Sequence, residues 1–379
     1  MIKDEKIYSI AISLIEGIGP VTARKLIQQF GSAAAVFQYS KKQLIKEFEV
    51  PRRIAEALTS KDFFDRAEQE FEFAVSNGIE IIGYEDSRYP KRLKHCYDCP
   101  VVLYYKGNAD LNSHKFVSII GTRKATDYGK NLTENFIAEI AAYDVVIVSG
   151  LAYGIDIIAH KAALEHGLPT IGVLGHGLDK LYPSSHKNTA MKMLESGGML
   201  SEFPSGTKPD RENFPLRNRV VAGMCDAAVV IESGIEGGSM ITAEFANNYN
   251  REVFAFPGNA GNPYSAGCNK LIRTHKAALI ENAGDFIEAM GWRKQGETEK
   301  GTINEKKRES AACEQRHLLL PASADESKIV EVMQGAGNIH IDEITTLSGY
   351  APGKVSALLL QLEFSGLVKS LPGKMFRLQ

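Results

Sequence analysis

Short apolar runs and amphipathic stretches alternate along the middle of the chain. Seven runs stand out: "FVSIIG", "DVVIVSG", "PTIGVLG", "GMLSEF", "DAAVVIESG", "REVFAFPG" and "AALIE". They are short and rich in β-branched residues, with no polar alternation, as expected of strands buried on both faces. Segments of helical period such as "NLTENFIAEIAAY" and "SMITAEFANNYN" lie between them. Strand and helix in regular alternation predict an α/β fold whose sheet is mostly parallel and covered by helices on both sides.

Both flanks have a different pattern. Residues 1–76 read as helical throughout. Within them, "LIEGIGPVTARKLIQQFGS" runs an apolar helix end into Gly17-Ile18-Gly19-Pro20 and then starts a second amphipathic helix. Two glycines permit a tight turn, and Pro20 suits a first helical turn. The pattern is that of a helix-hairpin-helix, whose glycine amides hold a DNA phosphate in some proteins and only pack in others. At the other end, "RKQGETEKGTINEKKRES" is charged and poor in apolar residues, which predicts a flexible linker over residues 293–323. Residues 324–379 then show three helical segments followed by "LVKSLPGKMFRLQ", a hairpin around Pro-Gly. Three helices and a hairpin is the winged-helix order. Its third helix carries only Lys354 as a cation, poor equipment for gripping a duplex, so protein contact or self-association is an equal expectation.

Composition narrows the class. The 379 residues are 44% hydrophobic and 24% charged, with a formal net charge of -2, which excludes a uniformly basic protein but not a local basic pocket. No signal-peptide pattern opens the chain and no apolar run reaches membrane-span length, so a cytoplasmic protein without a membrane partner is expected. Five cysteines at irregular spacing fit a reducing compartment. Cys96 and Cys99 form a single CxxC beside His95, with no second ligand pair to complete a zinc site, so no metal is expected.

Candidate chemistry collects at the ends of the predicted strands, where open parallel sheets bind ligands. Gly121, Thr122 and Arg123 follow the first run, Ser149, Gly150 and Gly154 the second, and Gly175, His176, Gly177 and Lys187 the third. "SEFPSGTKPDRENFPLRNR" follows the fourth, and Gly237, Gly238 and Ser239 open a helix after the fifth. Glycines let amides approach an anion, helix N-termini favour negative charge, and Arg123, Arg217 and Arg219 add forked donors. Several such turns on one rim predict a phosphate-binding crevice. No cofactor motif fits: the dinucleotide fingerprint lacks its third glycine after Gly175-His176-Gly177, and Gly129-Lys130 lacks the rest of a P-loop. No nucleophile elbow or paired metal histidines appear. Asp156 has a structural reason to sit in a first helical turn, and Glu202 and Glu232 end their strands where they can orient an arginine. Phe214 either stacks a nucleic-acid base or plugs the core beneath its loop. Arg217 and Arg219 flank Asn218 and must diverge on a helix.

"GTRKATDYG", "SGLAYGIDIIAH", "GHGLDKLYPSSH", "SEFPSGTKPDRENFPLRNRVVAG" and "GGSMITAEFA" resemble, in order, the signature blocks of the DNA-processing protein A family, also called Smf. The resemblance is dense from about residue 77 to 290 and looser at both ends. It implies a helical domain over 1–76 (helix-hairpin-helix or SAM-like), a Rossmann-like DNA-binding core over 77–292 and a winged-helix-like domain over 324–379. It also implies a non-enzymatic recombination mediator that binds single-stranded DNA, protects incoming DNA in natural transformation, loads the RecA recombinase and forms a homodimer through the core. By motif, Arg123 would hold phosphate, and Gly150 and Gly154 would shape the adjoining loop. Lys187, Arg211 and Phe214 would line the strand path, with Arg211 in a lysine-like role, and Arg217 and Arg219 belong to the same block. Thr122 stands where serine is common and His186 where asparagine is common. The alternative is a nucleotide phosphoribohydrolase of the lysine-decarboxylase-like type. Its PGGxGTxxE loop is broken here, with Glu236 in place of the proline and Met240 in place of a glycine.

Overall fold

The computed structural model describes residues 4–60, 63–113, 115–293 and 323–379; most of the expected linker over 293–323, and with it Cys313, lies outside the described residues. Six helices open the chain: α1 (Glu5–Leu14), α2 (Pro20–Phe30), α3 (Ala33–Val36), α4 (Lys41–Lys46), α5 (Arg52–Thr59) and α6 (Phe64–Ser76). The turn between α1 and α2 places Gly17 at φ 85°, and Pro20 starts α2 behind an extended Gly19. Next come β1 (Glu80–Gly83), α7 (Lys91–Lys94), β2 (Val102–Gly107), β3 (Phe116–Ile120), α8 (Asp127–Ile140), β4 (Val146–Ser149), α9 (Ile155–Glu165) and β5 (Thr170–Leu174). Then follow α10 (Lys187–Glu195), β6 (Gly197–Ser201), α11 (Asn213–Gly223), β7 (Ala227–Val230), α12 (Gly238–Asn248), β8 (Glu252–Ala255), α13 (Ala266–Arg273), β9 (Ala278–Leu279) and α14 (Ala283–Met290).

All seven apolar runs are strands, β3 to β9. They lie in one nine-stranded sheet of order β1-β2-β6-β5-β4-β3-β7-β8-β9. Pairings from β6 through to β9 are parallel. The parallel part starts at β3, builds outward to β6 on one side, then returns to lay β7 to β9 on the other. Successive residues along these strands feed opposite cores. Val117, Ile119, Ile147 and Val229 pack on one face, and Phe116, Ile120, Val148 and Val230 on the other. This two-sided burial explains why the runs lack polar alternation. The sheet also holds two strands that the apolar pattern did not single out. β1 and β2 pair antiparallel with each other, and β2 pairs antiparallel with β6. They follow directly on a helical region with no crossover helix of useful length, so the strand-helix alternation that marks the other seven is missing here.

The C-terminal unit has the winged-helix order: α15 (Ala324–Met333), β10 (Ile339–His340), α16 (Ile341–Ser348), α17 (Pro352–Phe364), β11 (Val368–Leu371) and β12 (Met375–Leu378). Ser323 and Glu326 form a capping box at the start of α15, and Pro352 opens α17. A separate apolar cluster including Ile329, Ile344, Val355 and Leu359 fills its interior.

Both flanking regions are fastened to the sheet by buried charge. In α6, Glu70 accepts hydrogen bonds from Ser205 N at 2.8 Å and Ser205 Oγ at 2.5 Å, while Arg66 donates to Ser205 O at 2.6 Å. At the other end, Arg251 pairs with Asp342 of α16 and also donates to Arg92 O at 2.7 Å and Gly223 O at 3.4 Å. His95 Nδ1 lies 2.7 Å from Thr346 Oγ1 across the same contact. Removing one partner of a buried pair strands the other, at about 3–5 kcal/mol. Asp342→Ala is therefore expected to loosen the winged-helix unit. Limited proteolysis should release that unit faster than in the wild type, and calorimetry should show an early transition absent from the wild type.

Candidate nucleic-acid interface

A crevice of about 770 Å³ opens beyond the carboxyl ends of β3 and β7, where the strand order reverses direction. This switch point is where crossovers leave to opposite faces of the sheet and a gap must open. Three turns wall it.

The first turn follows β3. Thr122 N donates to Glu232 O at 2.7 Å, and the Glu232 carboxylate accepts from Thr126 N at 2.9 Å and Thr126 Oγ1 at 2.6 Å. Glu232 thus orders the loop through both of its carboxylate oxygens. Gly154 stands at φ 77°, and a side chain there would run into the Thr122 carbonyl and the Arg123 backbone. Held this way, Arg123 projects exposed into the crevice with no ion pair among the described residues.

The second turn leads into α11 and separates the two arginines. Arg217 is 4% exposed and lies under the crevice. Its Nη1 donates to the carbonyls of Gly150 and Val173, and its Nε donates to Asn218 Oδ1 at 3.0 Å. A Cβ at Gly150 would collide with this guanidinium and displace it from its carbonyls. Burial pushes the Arg217 pKa down to about 10, against the pull of Asp156, so the group stays cationic at neutral pH. Burial raises Asp156, against Arg217 and its own hydrogen bonds from Gly150 N and Ala152 N. Arg219 is 5% exposed, pairs with Glu202, and donates to Asp98 O. Burial opposes its charge, and Glu202 with Asp98 more than restores it. Arg219 does not line the crevice. Its place in the expected strand-binding set is not supported by its position, because both ends of its guanidinium are committed to the protein.

Phe214 is half-buried. Its ring lies against Gly175, the Arg123 guanidinium sits 5.1 Å from its centroid, and that of Arg217 sits 5.9 Å away. It is neither a sealed core plug nor a free platform. Arg211, exposed on the same loop, also lines the crevice and has no ion pair among the described residues.

The third turn follows β7. Ser239 is buried and shares a 2.8 Å hydrogen bond with Ser233 Oγ, which anchors the start of α12. No side chain caps α9, α11 or α12 by hydrogen bond, and Asp156, Phe214 and Gly238 from their first turns all line the crevice. Helix N-termini therefore add partial positive charge to two unpaired arginines, offset by the Asp156 carboxylate in the first turn of α9 and the Glu236 carboxylate on the rim. Such a set suits an anion with several oxygens.

Lys187 is exposed at the start of α10 and lies outside the crevice lining. Among lining residues, Asn218 and Thr242 were not expected to contribute. Thr242 stands three residues after Ser239 on one face of α12, a helical spacing that would have found it.

Behind this wall, His160 of α9 is fully buried with Nδ1 2.7 Å from Thr170 Oγ1. Burial, reinforced by His186 and Arg217, holds its pKa down to about 3 from the ordinary 6.5. The unfolded chain takes up this proton near 6.5 while the folded chain does not. The resulting stability is full above that pH and drains towards about 3, at about 1.4 kcal/mol per pH unit. His160→Gln is expected to lose less stability between about pH 6.5 and pH 4.5 than the wild type, as read by urea unfolding at both values.

Comparison with known proteins gives a consistent result. The family described as "DNA recombination-mediator protein A" matches residues 80–291, and "DprA winged helix domain" matches residues 314–374. A Mycobacterium tuberculosis protein named "Putative DNA processing protein DprA" is 33% identical over 343 residues, covering 87% of this chain and 85% of that one. The X-ray structure of DNA processing protein A from Streptococcus pneumoniae superposes with a TM-score of 0.63 at 32% identity, over 76% of this chain and 98% of that one. DNA processing protein A from Helicobacter pylori, whose structure was described for its single-stranded DNA binding mode, gives 0.52 at 31% identity, over 57% of this chain and 97% of that one.

Proposed function

Because the chain belongs to the DNA recombination-mediator protein A family, we propose that its crevice binds single-stranded DNA and that the protein acts as a mediator of DNA processing. The observation that carries this reading is the meeting of Arg123 and Arg211 with three helix starts that no side chain caps, beside the half-exposed Phe214. Phosphates are taken by the charged groups, and a base is taken by the ring. A compact metabolite would need only the first of these. The single-stranded DNA binding mode described for the Helicobacter pylori relative supports the same ligand here.

In this reading Arg123 and Arg211 hold phosphates directly, and Gly154 and Gly150 shape the loops. Ser239 orders the third turn, Lys187 meets the strand outside the crevice, and Arg217 tunes the floor electrostatically while fixing α11. Arg219 serves the fold. The role extends to protecting incoming DNA during natural transformation in the cytoplasm, to loading the RecA recombinase, and to a homodimer formed through the core. It is a binding role without catalysis: Asp156 and Glu232, the buried carboxylates nearest the crevice, are committed to backbone amides.

Arg123→Ala is expected to weaken binding of a labelled oligothymidylate by roughly tenfold or more, as loss of a charged hydrogen bond implies. The slope of log affinity against log salt should shrink by about 0.7 for each phosphate that the variant no longer holds. Fluorescence anisotropy over a salt series measures both, with the unfolding temperature as control. A wild-type protein that shows no salt-dependent binding to single strands would overturn the reading.

A further inference from the structure

The turn after β5 carries an aromatic residue that the crevice does not account for. Tyr182 is 48% exposed. Its ring centroid lies 6.5 Å from that of Phe214, with the planes inclined at 37°. This is near the outer limit for direct contact between rings, so the pair is not a tight stack. Its hydroxyl has no hydrogen-bond partner among the described residues. A half-exposed ring of this kind gains little from the fold itself.

The backbone on both sides of Tyr182 is nevertheless tied down. Before it, Asp179 Oδ1 accepts from Gly206 N at 3.0 Å, which joins this turn to the loop that leads to Phe214. After it, the buried His186 holds Leu151 O at 3.0 Å through Nδ1, and the ring of Tyr153 packs edge-on against His186 at 5.0 Å. Lys187, exposed, starts α10 directly after His186. The fold thus holds Tyr182 beside a ring that borders the crevice, five residues before an exposed cation that lies outside it.

We propose that Tyr182 is a second base-stacking residue, which carries single-stranded DNA from Phe214 out of the crevice towards Lys187. The 6.5 Å between the rings is close to twice the rise of about 3.4 Å per nucleotide in a stacked strand, which leaves room for a base beside both rings. The ligand class is a strand with unpaired bases, since a paired duplex offers no ring face to either residue. This inference rests on the single-strand reading of the crevice and adds a residue and a direction to it.

The test compares oligothymidylate with a base-free oligonucleotide of the same length. Tyr182→Ala is expected to bind oligothymidylate roughly 5- to 100-fold more weakly than the wild type, with an unchanged salt slope and unchanged binding of the base-free strand. Tyr182→Leu should share the loss while preserving apolar contact with the loop, and Tyr182→Phe should restore affinity. Tyr182→Trp adds an emitter to a chain whose only other tryptophan is Trp292, and its fluorescence should be quenched by oligothymidylate and not by the base-free strand. Wild-type affinity in Tyr182→Ala, or an equal loss for both oligonucleotides, would overturn the proposal while leaving the crevice as the binding site. Absence of any wild-type binding would instead sink the reading on which it rests.

Discussion

Burial of the Arg217 guanidinium beneath the crevice is the constraint from which the rest of the site follows. A cation this deep is tolerated only if oxygen atoms replace its water. Here they come from the carbonyls of Gly150 and Val173, with the Asp156 carboxylate adding its field. Those carbonyls belong to the turn after β4 and to β5, so one side chain of α11 fixes that helix against two strand ends. The glycine at 150 is a consequence, because the guanidinium occupies the place of a side chain. Phe214 stands one turn earlier on the same helix, and its ring is positioned by the same anchor.

This arrangement divides the arginines by task. Arg217 and Arg219 are both buried and both committed to protein oxygens, and they point to opposite sides of α11. Arg123 and Arg211 are exposed and unpaired within the described residues. A protein with a net charge of -2 can therefore offer a crevice in which arginines outnumber carboxylates without a basic surface. The helix N-termini extend this effect, since their partial charges add to the site and not to the net charge. A count of arginines in the sequence accordingly overstates how many are free for a ligand.

The parts of the molecule legible in the sequence are those set by local pattern. Seven strands showed themselves because two-sided burial leaves an unbroken apolar run, and the C-terminal helices and hairpin because caps and Pro-Gly turns punctuate them. The strand-end glycines marked the rim for the same reason. What stayed hidden depends on contacts remote in sequence. β2 joins the sheet through β6, and β1 through β2, which local periodicity does not report. The opposed directions of Arg217 and Arg219 follow from helix geometry, but which one faced the crevice depended on Glu202 and Asp98 waiting on the far side. Tyr182 sits in a Tyr-Pro turn that reads as a loop, and only its place beside Phe214 gives it a meaning.

The flanking regions act on the site through α11. Glu70 and Arg66 of the N-terminal helices grip Ser205 in the loop that feeds α11, and Arg251 takes the Gly223 carbonyl at the helix's far end while paired with Asp342 of the winged-helix unit. The element that carries Phe214 and Arg217 is therefore held at its entrance by one flank and at its exit by the other. A change in either contact has a direct mechanical route to the ring and the cation. The one cation of α17, Lys354, is engaged with Asp325, while the unit's buried charge, Asp342, is committed to Arg251 of the sheet region.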